Sequence, residues 1–349
     1  MKSVSDILKE DINEIIMDES LPWSSFADCT VLITGATGLI GRLLVLALSS
    51  ANVKQKLAMR IIAHGRCTEK GAALINECNI DFISGDIRQP IPDQALPYSI
   101  DFIFHCAAIT TSADMVAKPV DVLLTEAKGT DNILKLAKER SCKSIVYLSS
   151  MEVYGHTELA EVRECDLGHI DLSNPRSSYP AGKRFAEALC HAYAAQYDVP
   201  VKIARLAQTF GAGTPKYDTR VFAQFARSVM AQEDIELHTD GSSRGNYCYT
   251  TDTIRGLLTV LLIGKNGDVC NISNVSSTIY EMAKIVAEGT GNREIKVVIN
   301  TPNDIKKLGY APAAGYILNA DKLKSLGWVP KYGLEDMYKR MLEDWRQCK

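Results

Sequence analysis

The chain has 349 residues, 46% of them apolar and 23% charged, with a formal net charge of −3 at neutral pH. This length and balance suit one large α/β unit with an added lobe, and exclude a disordered chain, a fibrous protein and a disulfide-stapled miniprotein. The small net charge gives no electrostatic reason to expect nucleic acid or an anionic membrane as a partner.

Residues 1–20 carry acids through their middle and lack an apolar core, so neither a signal nor a transit peptide is expected. Residues 1–29 read instead as an amphipathic helical extension that caps or packs on the fold. From Thr30 onward, short β-rich runs alternate with helical patterns. Strands are expected at 30–34, 60–63, 80–84, 102–106, 144–149 and 201–206, and helices at 41–50, 68–77, 120–140 and 179–197. Apolar strands separated by helices mean a parallel sheet covered on both faces, a doubly wound α/β fold. After Leu206 the rhythm breaks, and residues 207–248 and 276–349 read as a smaller substrate-binding lobe. Residues 249–275 read as a return to the sheet, with a strand at 268–272, followed by a helix at 277–288 and a last helix ending near Trp345. The longest apolar run, 43–48, is too short to span a membrane. The ten cysteines contain no C-x-x-C pair and the six histidines are dispersed. We therefore expect no metal site, and thiols left free in a reducing cytoplasm.

Two stretches carry chemistry. Val31-Leu-Ile-Thr34 runs into Gly35-Ala-Thr-Gly38-Leu-Ile-Gly41, a glycine pattern that leaves a strand and opens an apolar helix. That context suits a dinucleotide: Gly35 permits the tight turn, Gly38 lets the backbone approach a pyrophosphate, and Gly41 allows close helix–strand packing. The candidate phosphate loop is thus Gly35, Thr37, Gly38, Leu39, Ile40 and Gly41. The second strand ends Ile62-Ala-His64-Gly65-Arg66, without the carboxylate that usually holds an NAD ribose. Arg66 suits a 2′-phosphate, adenine stacking or plain solvation, so the residues leave NAD and NADP open.

Further on, Tyr179-Pro-Ala-Gly-Lys183 opens a helix, and its spacing sets Tyr179 and Lys183 on one face. A free tyrosine has a pKa of about 10, and a neighbouring ammonium favours its phenolate, making it a base near neutral pH. Ser150, at the end of the strand 144–149, is placed to hydrogen-bond the same oxygen. Glu152 lies two residues on, and reads either as an acid–base group or as a carboxylate that orients its loop.

Together these motifs resemble the extended, nucleotide-sugar branch of the short-chain dehydrogenase/reductase superfamily, over about Thr30 to Trp345. The resemblance implies a Rossmann-type sheet and a Ser150–Tyr179–Lys183 triad. It implies that Asp86, followed by Ile87, reaches the adenine, and that Ala107 and Ala108 of His105-Cys-Ala-Ala108 line the cofactor. Gly129-Thr130 and the closing Leu326-Gly-Trp-Val-Pro330 also fit the branch. Its members that recycle their cofactor mostly use NAD, which favours NAD here. The expected substrate is a nucleoside-diphosphate sugar, touched by Ser112, Gln208, Arg220 and Arg244. Gln208 replaces the branch's Asn. Arg244 precedes the usual arginine position, here Gly245, and in sugar-acid decarboxylases that arginine is tied to catalysis. Where sugar 4,6-dehydratases carry Asp-Glu, this chain has Met151-Glu152. The first expectation is therefore 4-epimerisation through transient oxidation at the sugar C4. A Glu152-assisted dehydratase or decarboxylase comes next, then an NADPH-dependent keto-sugar reductase. The branch also implies a homodimer through the helices 120–140 and 179–197, the second with an apolar side at Ala181, Ala186, Leu189, Ala192 and Tyr193.

Overall fold

The computed structural model describes residues 4–289, 295–301 and 315–348. The remaining parts of the expected segments 1–29 and 276–349 lie outside the described residues. The chain opens with helix α1 (Asp6–Ile16), capped by Ser5, whose hydroxyl accepts the Leu8 N–H at 3.1 Å. Leu8, Ile12, Ile15 and Ile16 form its buried stripe.

There follow β1 (Thr30–Thr34), α2 (Leu39–Gln55), β2 (Arg60–Gly65), α3 (Thr68–Glu77), β3 (Asp81–Ser84) and β4 (Phe102–His105). Next come α4 (Ser112–Ala117), α5 (Pro119–Glu139), β5 (Ser144–Ser150), the short β6 (Glu161–Val162), α6 (Ser178–Tyr197) and β7 (Val201–Leu206). Every strand expected before Leu206 is present, most within a residue or two of its expected ends. Helix α2 starts two residues earlier than expected because Gly38 takes the N-cap position, so Leu39 and Ile40 fall in its first turn.

The later chain gives β8 (Gln208–Phe210), α7 (Val221–Ala231), β9 (Ile235–Leu237), β10 (Arg244–Tyr249), α8 (Thr250–Ile263), β11 (Val269–Ile272) and β12 (Val275–Thr278). It closes with α9 (Ile279–Glu288), β13 (Val297–Ile299), β14 (Ile317–Leu318), α10 (Asp321–Ser325) and α11 (Leu334–Gln347).

Seven strands form the main sheet in the order β11-β7-β5-β4-β1-β2-β3, and every neighbouring pair is parallel. Alternation sorts the strand residues between two cores. Val31, Ile33, Val146 and Leu148 join α1, α2 and α8 on one face. Leu32, Ile103, Ile145 and Tyr147 join α5 and α6 on the other. Both faces being covered explains why β1 is buried at all five positions. A separate apolar cluster joins α7, α9 and α11 with β8 and β10, and Phe210 stacks on Phe222 with centroids 4.5 Å apart. Among the described residues, no helix is long and apolar enough to cross a membrane.

Helix α1 bridges these parts. Its apolar stripe packs with α2 and α8, while Asp11 pairs with Arg340 of α11 at 2.5 Å and accepts the Tyr249 hydroxyl. Glu14 pairs with Lys331 at 2.7 Å, and Asp18 with Arg255 of α8.

Candidate active site

The C-terminal ends of β1, β2, β4 and β5 share one edge of the main sheet, with Thr34 opposite both His64 and His105. The strand order reverses at β1, and in open α/β sheets the crevice at such a switch point takes the ligand.

Gly35 follows β1 with φ +64°, and a Cβ on it would lie 2.7 Å from the Ala107 backbone nitrogen. A Cβ on Gly41 would lie 2.3 Å from the Gly35 carbonyl oxygen. The close approaches therefore require both glycines. Gly38 caps α2 with no side-chain hydrogen bond to the first turn, so the leading N–H groups, Leu39 and Ile40 among them, are left to an outside acceptor. Thr37 is half-buried beside Gly65. An uncapped helix start under two close-packed glycines fits a dinucleotide pyrophosphate.

The walls of this cradle come from neighbouring strand ends. Ala107 donates its N–H to Thr34 Oγ1 at 3.3 Å, and Ala108 follows in the same loop. Thr34 Oγ1 lies 2.7 Å from His105 Nδ1, and Thr130 Oγ1 lies 3.4 Å from His105 Nε2. Burial, with the Lys183 charge nearby, pushes the His105 pKa down to about 3, so its ring is neutral at physiological pH. Asp86 is gripped by Arg88 at 2.6 Å, which holds its carboxyl below the usual range, and Arg88 also reaches Asp121 at 2.7 Å. Ile87 is buried under α5, where a Cβ on Gly129 would lie 3.0 Å from its Cγ2. Arg66 is exposed in the turn after β2.

Ser150 ends β5, while Tyr179 and Lys183 sit one turn apart at the start of α6, both buried. The Ser150 side chain hydrogen-bonds the Tyr179 phenol, and its Oγ also accepts the Glu152 N–H at 3.2 Å. Lys183 Nζ donates to the Leu148 carbonyl at 2.7 Å and pairs with Glu126 at 3.1 Å. It lies 5.7 Å from the Tyr179 ring centroid. Burial pushes the Tyr179 phenol up, and the Glu126 and Glu152 charges push it further, against the Ser150 hydrogen bond and the Arg176 charge. In the free protein the phenol is therefore protonated at neutral pH, and a positive charge brought close to it would favour its ionisation.

Glu152 does not stand free. Both of its oxygens accept from Arg176, at 2.9 and 3.0 Å, in a bidentate pair. Arg176 is itself 7% exposed.

The sequence-derived substrate residues are more scattered. Ser112 opens α4 and is exposed, and Gln208 opens β8 half-buried. Arg220 is held by Asp218 at 2.5 Å and lies 4.6 Å over the Phe222 ring. Arg244 begins β10, 3.4 Å from Ser276 Oγ. The strand is regular there, with Arg244 opposite Thr278 and Gly245 opposite Ser277. A Cβ on Gly245 would lie 2.3 Å from Tyr247 Oη, so Tyr247 occupies the space an arginine side chain would need.

Four participants escaped the sequence reading: Glu126, Tyr147, the Arg176 clamp and the Thr34–His105 pair. Glu126 had a signal, since it stands four residues before Thr130 on the helix face that also carries Val122 and Ile133. A carboxylate on a buried stripe needs a partner. On α6, Ala186 and Tyr193 face the sheet core rather than solvent, whereas Phe185 is 54% exposed.

Comparison with known proteins agrees with this geometry. A model of the NAD dependent epimerase/dehydratase family matches residues 31–275. UDP-glucuronic acid decarboxylase 3 of Arabidopsis thaliana is 30% identical over 318 residues, covering 90% of this chain and 89% of the relative. The structure of an epimerase from Methanothermobacter thermautotrophicus superposes with a TM-score of 0.78 at 26% identity, over 95% of both chains. A UDP-glucuronic acid 4-epimerase of Bacillus cereus, solved with UDP-glucuronic acid and NAD, shares the fold at a TM-score of 0.73 and 22% identity, over 91% of this chain and 99% of that one.

Proposed function

The chain belongs to the NAD dependent epimerase/dehydratase family, and from that premise we propose that it inverts a nucleoside-diphosphate sugar at C4. In this reading, residues 30–206 with the return 249–275 hold the cofactor, and residues 207–248 and 276–349 hold the sugar nucleotide. Gly35, Thr37, Gly38, Leu39, Ile40, Gly41, Arg66, Asp86, Ile87, Ala107, Ala108, Tyr179 and Lys183 are the groups that would hold NAD. When bound, NAD supplies a reversible two-electron acceptor for the sugar carbon.

The chain's own residues handle the proton. Tyr179 Oη takes it from the C4 hydroxyl and returns it after the ring has turned. The Lys183 charge stabilises the phenolate that precedes the first transfer and follows the second. Ser150 keeps the phenol and the C4 oxygen aligned.

The observation that carries 4-epimerisation is the contrast between Tyr179, which these groups surround, and Glu152, whose oxygens are both held by Arg176. Inversion at C4 needs no second acid or base. Oxidative decarboxylation of a sugar acid is the second reading, favoured by the named activity of the Arabidopsis relative. Against it stand the engaged Glu152 and the missing side chain at Gly245. We place the enzyme in the cytoplasm, where the ten free cysteines suit a reducing medium. We infer a homodimer through α5 and α6.

The test is NMR of the reaction in D₂O with catalytic NAD⁺ and a panel of nucleotide sugars and sugar acids. A product inverted at C4 without deuterium is expected. Tyr179→Phe should lower kcat by roughly 10²–10⁴-fold, and Glu152→Gln should keep it within about tenfold. Loss of a sugar carboxylate, or deuterium entering at C5 or C6, together with an inactive Glu152→Gln, would overturn 4-epimerisation.

A further inference from the structure

Glu126 sits in the middle of α5 with 1% of its surface exposed. Its Oε2 pairs with Lys183 Nζ at 3.1 Å and accepts the Tyr147 hydroxyl at 2.7 Å. Its Oε1 is buried with no hydrogen-bond partner. A buried ion pair seldom repays the desolvation of both ions, and leaving one oxygen bare makes this pair a poor stabiliser. Its location is more telling. Lys183 lies 4.7 Å from the Tyr147 ring centroid and 5.7 Å from that of Tyr179. The ammonium near the Tyr179 ring thus already carries a carboxylate.

The other groups facing this cluster are accounted for. From β4 and the loop after it, His105 is neutral and burial pushes the Cys106 thiol up. On α6, Glu187 is taken by Arg205 at 2.7 Å, and burial pushes up the Cys190 thiol. From the turn after β5, Glu152 is taken by Arg176 at 2.9 Å. Glu126 is the carboxylate left in contact with Lys183.

We propose that Glu126 is a positioning residue that anchors Lys183 and cancels part of its charge, and so weakens the pull of Lys183 on the Tyr179 proton. The proposal rests on Tyr179 being the base of the proposed reaction. A bare Lys183 would pull harder on the phenol proton than a lysine already paired with a carboxylate. Paired with Glu126, the lysine offers an attenuated field, and a further positive charge must be close before the phenol gives its proton to solvent and can accept the one on the C4 hydroxyl.

The full chain, labelled with ¹³Cζ-tyrosine and free of sugar, provides the test, and Tyr179→Phe assigns the Tyr179 resonance. Glu126→Gln keeps the volume and an acceptor for Tyr147 while removing the charge. The Tyr179 resonance should titrate at least one pH unit lower in Glu126→Gln than in the parent protein. In turnover assays the acidic limb of kcat/KM should move the same way, and Glu126→Asp should bring it part of the way back. Should Glu126→Gln not fold, the smaller neutral Glu126→Asn carries the same expectation. The same Tyr179 titration in parent and variant overturns the proposal, whatever happens to the rate. If no nucleotide sugar is turned over at all, the functional assignment fails while the NMR titration still decides on Glu126.

Discussion

His105 and His64, at the ends of adjacent parts of the main sheet, are both buried and both lose basicity on folding. Burial pushes His64 down to about 4 and His105 to about 3. A histidine whose folded pKa lies below its unfolded value of about 6.5 binds more protons unfolded, so its contribution is intact above that value and lost as pH falls. Between pH 6.5 and 5, each histidine should therefore withdraw about 2 kcal/mol of stability. Urea unfolding of His105→Asn should show a correspondingly flatter pH dependence over that window. An unchanged slope would mean that His105 titrates alike in the folded and unfolded chains. The Tyr179–Lys183 spacing and the glycine loop were legible in the sequence because each is a local pattern with fixed spacing. His105 was legible only as a motif member, because its partners Thr34 and Thr130 come from another strand and a helix. Glu152 was legible as a candidate base, but not as engaged, since nothing in its own segment announces Arg176.

At the scale of elements, sequence patterns were strongest where one periodicity rules. The six early strands and their helices are of that kind. Helix α8 was not resolved as a helix, because it is buried almost all round and shows no polar face. Helix α9 was placed two residues early, although Thr278 and Glu281 spell a capping box, and both of its reciprocal hydrogen bonds form. Helix α1 was expected to cap or pack, and its apolar stripe does pack. The acids of the helix and of the turn after it are the larger finding, because Asp11, Glu14 and Asp18 each meet a cation from the distant chain. Asp11 is 2% exposed and serves both Arg340 and Tyr249. Asp11→Ala should cost about 2–3 kcal/mol at pH 7.5, because it leaves Arg340 partly buried without its carboxylate. A urea midpoint equal to that of the parent protein would show that the apolar stripe alone seats the helix.

On the scale of the whole molecule, the outer side of the α5–α6 pair stands out. Val120 and Leu123 on α5 and Phe185 on α6 are exposed at 66%, 41% and 54%. Their neighbours Ala181 and Ala192 extend an apolar strip of small side chains along α6, which suits close contact with a second copy. Because these residues lie on the two helices that also carry Glu126, Tyr179 and Lys183, pairing there would stiffen both helices. Phe185→Glu should convert a dimer into a monomer by size exclusion with light scattering, with the circular dichroism spectrum retained. A parent protein that already runs as a monomer would remove the dimer.

Ser5 donates to Asp344, 339 positions away, and Asp6 donates its backbone N–H to Gln347. The described chain therefore nearly closes on itself into a ring. Helix α1 leaves the ribosome well before the sheet it covers, yet Arg340 and Asp344 arrive only with the last described helix. Until then Asp11 lacks Arg340 and Ser5 lacks Asp344. The latching of α1 onto α11 is thus a high-contact-order closure that waits for the last described helix.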